Sequence, residues 1–72
     1  MDSMHEALTR IEMEYREMPD LTLTFWQARR LWNLDEAVCE AALTRLVAEK
    51  FLWWTSEGRF IRRGMASILA AN

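Results

Sequence analysis

Cysteine, proline and glycine are scarce in this chain of 72 residues, which has one cysteine, one proline and two glycines. The single cysteine, Cys39, excludes an intramolecular disulfide and a cysteine-based zinc site. Two glycines are too few for a glycine-rich loop that cradles phosphate. No apolar run approaches the roughly 18 residues that cross a bilayer, and the N-terminus lacks a signal-peptide pattern. We therefore expect a cytoplasmic protein that does not associate with membranes.

The length and composition indicate one small folded domain. A mass of 8.5 kDa excludes a two-domain enzyme, a Rossmann unit or a barrel. The composition is 51% hydrophobic with four tryptophans, which excludes a disordered chain. The net charge of −2 argues, as an average, against a nucleic-acid binder. However, residues 1–20 hold six acidic and two basic residues, whereas residues 21–72 hold five acidic and seven basic ones.

A first helix is predicted over residues 4–18. Ser3 and Glu6 have the spacing of a capping box, and Pro19 ends the helix because it lacks an amide proton. Apolar residues recur every three or four positions, which places them on one side of the helix. We expect this stripe to pack on the protein's own core, and a dimer seam is the alternative. Its members are Met4, Leu8, Ile11, Tyr15 and Met18.

Two further helices, joined by a tight turn, are predicted as a helix-turn-helix over residues 24–49. Thr24 and Gln27 form a second capping box, and Asn33 suits a left-handed turn. The shorter helix, 25–32, is predicted to be buried through Ala28, Leu31 and Trp32. Asp35 caps the longer helix, 36–49, whose predicted buried face consists of Cys39, Ala42, Leu43, Leu46 and Val47.

Three β-favouring runs complete the predicted domain. Residues 51–55 and 59–63 flank a glycine-containing turn and predict a hairpin, the wing, over 51–63. Residues 21–23 read as a short strand that can join this hairpin. The order helix, strand, helix, helix, strand, strand predicts an α+β winged helix-turn-helix with three helices and a two- or three-stranded antiparallel sheet. We assign residues 1–64 to this domain and residues 65–72 to a C-terminal tail.

The chain also resembles a family of small bacterial winged helix-turn-helix proteins over roughly residues 14–63. Three segments carry the resemblance: Leu23-Thr24-x-x-Gln27-Ala28-x-Arg30-Leu31-Trp32-x-Leu34-Asp35, Cys39-Glu40-x-x-Leu43-x-x-Leu46-Val47 and Thr55-x-x-Gly58-Arg59-x-x-Arg62. The resemblance implies DNA binding. Two departures stand out: Lys50 replaces a glycine that usually follows the third helix, and Trp53 with Trp54 replace polar or basic residues in the wing.

The residues do not predict an enzyme. His5 lies in the first helical turn without an orienting partner, and a general base needs one. Cys39 falls on an apolar helix face, where a thiol stays protonated. The acids of the first helix read as a solvated face, because no binding loop or histidine cluster accompanies them. We therefore expect no catalytic residues, metal, cofactor or small-molecule substrate.

Our leading interpretation is a small bacterial winged-helix DNA-binding protein that forms a dimer and serves as a transcriptional regulator or accessory factor. Double-stranded DNA would be held mainly through its phosphates. Arg59, Arg62 and Arg63 would contact phosphates from the wing. The recognition helix begins with acids, which equips it poorly for reading bases. The helix-turn-helix would contribute Arg29, Arg30 and Arg45 as anchors, with Glu40 or Thr44 reaching the groove.

The alternative interpretation is a protein-protein interaction or dimerisation module that uses exposed tryptophans. Trp53 and Trp54 are adjacent on a strand, so they point to opposite faces. One of them is expected to enter the core and the other to be exposed. Trp26, at the start of the second helix, raises the same question. An exposed set of such residues would bind a protein partner or a second copy of the chain.

Overall fold

The structure, a computed structural model, describes residues 3–64 of the chain. Three helices and a three-stranded antiparallel sheet occur in the predicted order, which confirms the α+β winged helix-turn-helix. None of the helices in this range is long and apolar enough to cross a bilayer. The predicted tail, 65–72, lies outside the described residues. The elements are α1 (Ser3–Glu17), β1 (Leu23–Thr24), α2 (Phe25–Leu31), α3 (Glu36–Ala48), β2 (Leu52–Trp54) and β3 (Arg59–Arg62).

The sheet has the strand order β1-β3-β2, so the last strand in sequence lies in the middle. Leu23 of β1 pairs with Phe60 of β3, and Trp53 of β2 pairs with Ile61 of β3. The first strand lies at 23–24 instead of the predicted 21–23. The backbone N–H of Leu21 donates to the carbonyl of Met18 at 3.0 Å, which commits Leu21 to the turn after α1.

α1 packs on the core through the predicted stripe, with corrections at both ends. Ile11 and Tyr15 are fully buried, and Ala7 is buried between the predicted positions. Ser3 lies within the helix and therefore does not cap it as predicted. Met18 is 45% exposed and not part of the stripe, because the helix ends at Glu17 and the chain then turns away.

The two caps of the helix-turn-helix form as predicted. The Thr24 hydroxyl accepts a hydrogen bond from the Gln27 amide at 3.2 Å, and the Gln27 side chain accepts one from the Thr24 amide at 2.9 Å. The Asp35 carboxylate accepts from the Ala37 amide at 3.1 Å. Asn33 has a φ of 50°, the left-handed conformation that the turn requires. These local contacts set where α2 ends and where α3 begins.

α2 buries a narrower face than the sequence predicts. Ala28 and Trp32 are buried, one helical turn apart. Leu31 is 53% exposed, contrary to the prediction. Because successive residues of a helix are about 100° apart, Leu31 lies well to the side of Trp32 and misses the core.

The core joins α1, α3 and the sheet. The predicted apolar face of α3 is confirmed, although Val47 is only half-buried. The Tyr15 hydroxyl donates to the carbonyl of Phe60 at 2.7 Å and links α1 to the central strand. The largest fully buried side chains are Tyr15, Ile11, Leu43, Leu46, Leu52 and Cys39.

Lys50 ends α3 in a left-handed conformation, with a φ of 66°. Its amide donates to the Val47 carbonyl, and the Phe51 amide donates to the Leu46 carbonyl, each at 3.0 Å. These two bonds form a Schellman motif, in which glycine is the favoured left-handed residue. The chain thus keeps the geometry of that motif with a lysine in the position where glycine is expected.

Candidate nucleic-acid interface

The two predicted anchors on α2 have different surroundings. Arg29 is half-buried, and its Nε donates to the Leu34 carbonyl at 3.3 Å. Its guanidinium also lies 5.7 Å from the centre of the Trp26 ring. The Arg29 side chain therefore stabilises the turn between α2 and α3. Arg30 is exposed, and within the described part of the chain its side chain has no partner, so it is available to a ligand.

The exposed face of α3 carries acidic and small side chains. Glu40 and Thr44, the predicted groove-reaching residues, are both exposed, as are Glu36 and Ala37. Arg45 is exposed too, but its Nε pairs with the Glu49 carboxylate at 3.1 Å. An exposed pair of this kind contributes only a few tenths of a kcal/mol, so a phosphate can compete with it. In the unbound chain, α3 nevertheless offers no unpaired cation.

The pleat of the sheet separates the three wing arginines. Register pairs Ile61 with Trp53 and Arg62 with Leu52. Opposed residues of an antiparallel pair point to the same face, and alternate residues of one strand share a face. Leu52 is buried in the core, so Arg62 extends from the helix-facing side of the sheet. Arg59 and Ile61 belong to the other side, which we call the outer face.

Two of the wing arginines lie over aromatic rings. The Arg62 guanidinium is 4.2 Å from the centre of the Phe51 ring, and that of Arg63 is 5.0 Å from the Trp53 ring. Arg16 of α1 lies 5.7 Å from the same Phe51 ring. Cation–π contacts of this kind are worth roughly 0.5–1 kcal/mol at exposed sites and restrict the guanidinium without neutralising it. The Arg63 contact also assigns this residue to the outer face, beside Trp53.

The ion pairs within residues 3–64 involve arginines outside the wing. They are Arg16 with Glu12, at 3.4 Å, and Arg45 with Glu49. Arg59, Arg62 and Arg63 keep their positive charge without an acidic partner in this range. None of the strand residues is acidic. The wing is therefore the part of the described surface where cations are concentrated and unpaired.

The tryptophans differ from the prediction, because both members of the wing pair are exposed. Trp53 is 43% and Trp54 59% exposed, so neither enters the core. Leu52 takes the buried position of β2. Trp54 shares its face with Leu52 but lies two residues further along, at the end of the sheet. There its ring stacks on Phe60, with centroids 6.2 Å apart.

Trp26 is the most exposed tryptophan, at 61%, and packs edge-on against Phe25. Trp26 lies two residues after Thr24, which pairs with Arg59 at the start of β3. Trp54 pairs with Phe60, the next residue of β3. Register thus brings the beginning of α2 and the last residue of β2 to the same end of the sheet. We call Trp26 and Trp54 the wing-end aromatics.

Burial affects the two titratable side chains of the core, Cys39 and Tyr15. Burial raises the pKa of the Cys39 thiol, an effect that the Arg29 charge opposes. Burial also raises the pKa of Tyr15 above its ordinary value. Both groups therefore stay protonated at neutral pH.

His5 is exposed on α1. In residues 3–64 no group of three or more acidic, histidine or cysteine side chains could hold a metal ion.

Comparisons of the chain with protein-family models, with curated proteins and with solved structures found no match. The candidate interface therefore rests on geometry. The structure brings Arg59, Arg63 and Trp53 together on the outer face and leaves Arg62 on the other side of the sheet. Sequence reasoning missed Phe51, the ring under Arg62. Its position directly after Lys50, where the third helix ends, was the available signal.

Proposed function

We propose that this chain is a winged-helix DNA-binding module that holds double-stranded DNA mainly through phosphate contacts. In the cell it would act as a small transcriptional regulator or accessory factor. The observation that supports this proposal best is the distribution of charge partners. The ion pairs of the described residues occupy Arg16 and Arg45, whereas none of them involves a wing arginine. Unpaired cations on an acid-free sheet suit a polyanion.

The wing and α2 would carry the phosphate contacts. Arg62 and Arg63 are held over aromatic rings, so less side-chain freedom is lost when a phosphate binds. Arg59 and Arg30 add unpaired guanidiniums from β3 and from α2. Phosphate contacts orient a protein on the duplex but do not read its sequence. We therefore expect binding that tolerates many sequences.

α3 would contribute little to sequence reading. Thr44 can donate or accept a hydrogen bond at a base edge, and Glu40 can accept one from cytosine N4. Glu36 and Glu40 also face phosphates unfavourably. Arg45 would have to leave Glu49 before it could contact DNA. Weak binding by one module would be strengthened by a second module on the same duplex.

The test is the salt dependence of binding to a labelled duplex of mixed sequence. The slope of log K against log salt is about −0.9 for each phosphate neutralised, so three to five contacts predict a slope of about −3 to −5. Replacing Arg62 and Arg63 with alanine should weaken binding on every duplex alike. The same double variant should reduce the size of the slope by about 2.

A matched control removes the same charge from α1 through Arg10→Ala and Arg16→Ala. This variant should keep the salt slope of the original chain, because the acidic helix is not expected to contact phosphates. Fluorescence anisotropy at low and moderate salt measures both variants. Absence of duplex binding at low salt, or equal losses in the two double variants, would contradict the proposal.

A second candidate function is binding to a protein partner, including a second copy of the chain. The observation in its favour is the exposure of the wing-end aromatics, Trp26 and Trp54, at 61% and 59%. Large exposed aromatic side chains are enriched where protein surfaces meet. The two functions are compatible, since a dimer would present two wings to DNA.

A further inference from the structure

We infer that the outer face of the sheet binds an unpaired nucleotide, with a base stacked on Trp53 and the flanking phosphates held by Arg59 and Arg63. This inference rests on the proposed function, because it assigns a single-stranded nucleic acid to the same basic wing. It concerns a different face from the one that carries Arg62. It therefore makes predictions that phosphate contact alone does not make.

The placement of the three side chains follows from the strand register. Trp53 lies opposite Ile61, so Arg59 is its diagonal neighbour on β3. Arg63 is the residue that directly follows β3. The Arg63 guanidinium is 5.0 Å from the Trp53 ring centre, which establishes that these side chains share a face. Trp53 therefore has the Arg63 guanidinium over its ring and Arg59 at a diagonal position on the neighbouring strand.

On this face Trp53 is accessible to a ligand and Ile61 beside it is buried. Leu52 and Phe60 point toward the helices as part of the core or packed against it, so their strand neighbours point away. Ile61 is only 5% exposed and lies beside Trp53, whereas Trp53 keeps 43% of its surface open. A half-exposed indole that lies beside a buried side chain can serve as a platform for a planar group. Such a platform costs little ordering entropy on binding.

The chemistry of the face matches an unpaired strand better than a duplex. In a duplex the bases are stacked on one another, and only the phosphates would be available to this face. A single strand exposes base faces that can stack on an indole, and arginines beside the ring track the backbone. Arg59 lies at the start of β3 and Arg63 just after its end, in helical backbone. The two guanidiniums can therefore reach phosphates on either side of one base.

A protein ligand with acidic side chains would satisfy the arginines equally well, but it would not require the aromatic ring. Trp53 is the component that selects the ligand class, since stacking on a base depends on the planarity of both partners. The experiment therefore compares ligands that share phosphates and differ in bases. Suitable probes are a labelled oligothymidine of about 15 nucleotides, within the usual site size, and a strand of equal length made of abasic units.

The chain should bind oligothymidine more tightly than the abasic strand. Trp53→Leu should lower oligothymidine affinity by about tenfold, the order expected for one lost stacked base, and leave abasic affinity unchanged. The ratio of the two affinities then approaches one. Trp53→Phe, which keeps an aromatic ring, should retain part of the ratio. Arg59→Ala and Arg63→Ala should weaken binding to both strands.

Trp54→Leu is the matched control, because it removes the neighbouring indole from the opposite face of the same strand. It should keep the ratio of oligothymidine to abasic affinity. Circular dichroism melting establishes that each variant is folded, and Trp53→Phe serves if Trp53→Leu is not. Equal affinities for the two strands in the original chain, or equal loss of the ratio in the Trp53 and Trp54 variants, would overturn the inference.

A blunt duplex of mixed sequence separates this inference from the proposed function. Trp53→Leu should bind that duplex as the original chain does. Duplex binding without a preference for bases over abasic units overturns the stacking site and leaves the proposed function intact. Absence of binding to duplex, oligothymidine and abasic strand alike at low salt overturns both.

Discussion

Lys50 adopts a backbone conformation that side chains other than glycine rarely adopt. Its φ of 66° places the Cβ close to the following carbonyl, which costs on the order of 1 kcal/mol relative to glycine. The Schellman motif at the end of α3 requires this conformation, because the amides of Lys50 and of Phe51 both donate back to carbonyls in the last turn of the helix. The strain is therefore local and removable.

Replacing Lys50 with glycine should raise the free energy of unfolding by about 0.5–1 kcal/mol. Chemical denaturation at neutral pH measures the change as a higher urea midpoint. Ala48→Gly is the matched control, since the same residue is placed in the right-handed helix two positions earlier. That variant should lose about 1 kcal/mol. A destabilised Lys50→Gly variant would contradict this account of the strain.

At the scale of single residues, the caps and the turn of the helix-turn-helix were predictable, whereas the exposure of the wing tryptophans was not. Thr24, Asn33 and Asp35 have roles that depend on neighbours within a few positions, and the structure has all three as predicted. The environments of Trp53 and Trp54 depend on where the sheet ends relative to the helices. That relation is tertiary, and alternation along a strand does not contain it.

At the scale of elements, one side-chain hydrogen bond connects α1 with the middle of the sheet. Tyr15 is the only tyrosine of the chain, and its buried hydroxyl donates to the Phe60 carbonyl at 2.7 Å. Tyr15→Phe removes this bond and keeps the ring. We expect a loss of about 1 kcal/mol in the free energy of unfolding at neutral pH, measured by urea denaturation.

The difference between the original chain and Tyr15→Phe should depend on pH. Burial raises the pKa of Tyr15 in the folded chain above its ordinary value of 10.0. Above pH 10 the unfolded chain loses the phenolic proton and the folded chain keeps it, so the original chain loses stability as pH rises. Phenylalanine does not titrate, and Cys39 titrates in both chains. The stability difference should therefore shrink between neutral pH and about pH 10.5. A constant difference would contradict burial of the hydroxyl.

The elements of the fold were more predictable than the arrangement of the candidate site. Apolar periodicity and turn residues predict three helices and a hairpin, because these depend on spacing along the chain. The wing arginines were predicted as one set on the basis of proximity in sequence. Register then places Arg59 and Arg62 on opposite faces of β3, since they are an odd number of residues apart.

At the scale of the whole molecule, acid and base occupy different regions. Residues 1–20 contain six acidic and two basic residues, and the described strands contain no acid. A polyanion would therefore approach the wing and avoid α1. The overall charge of −2 leaves little long-range attraction, so one module alone should bind DNA weakly. Pairing two modules is the simplest way to gain affinity without new contacts.

We expect that pairing to occur through the wing-end aromatics. At high protein concentration the mass in solution, measured by light scattering after size exclusion, should be that of a dimer. The double variant Trp26→Ser and Trp54→Ser should be a monomer, because it removes two large exposed indoles from one end of the sheet. Trp53→Ser is the control and should remain a dimer. A monomeric original chain would contradict this prediction.

The same variant separates the contribution of pairing from that of phosphate contact. A dimer places two wings on one duplex, so the salt slope of binding counts the phosphates of both modules. The monomeric variant keeps Arg59, Arg62 and Arg63, and its slope should fall to about half while each module retains its contacts. An unchanged slope in a monomeric variant would mean that only one wing contacts DNA in the dimer. Pairing through the wing-end aromatics would then serve a purpose other than DNA affinity.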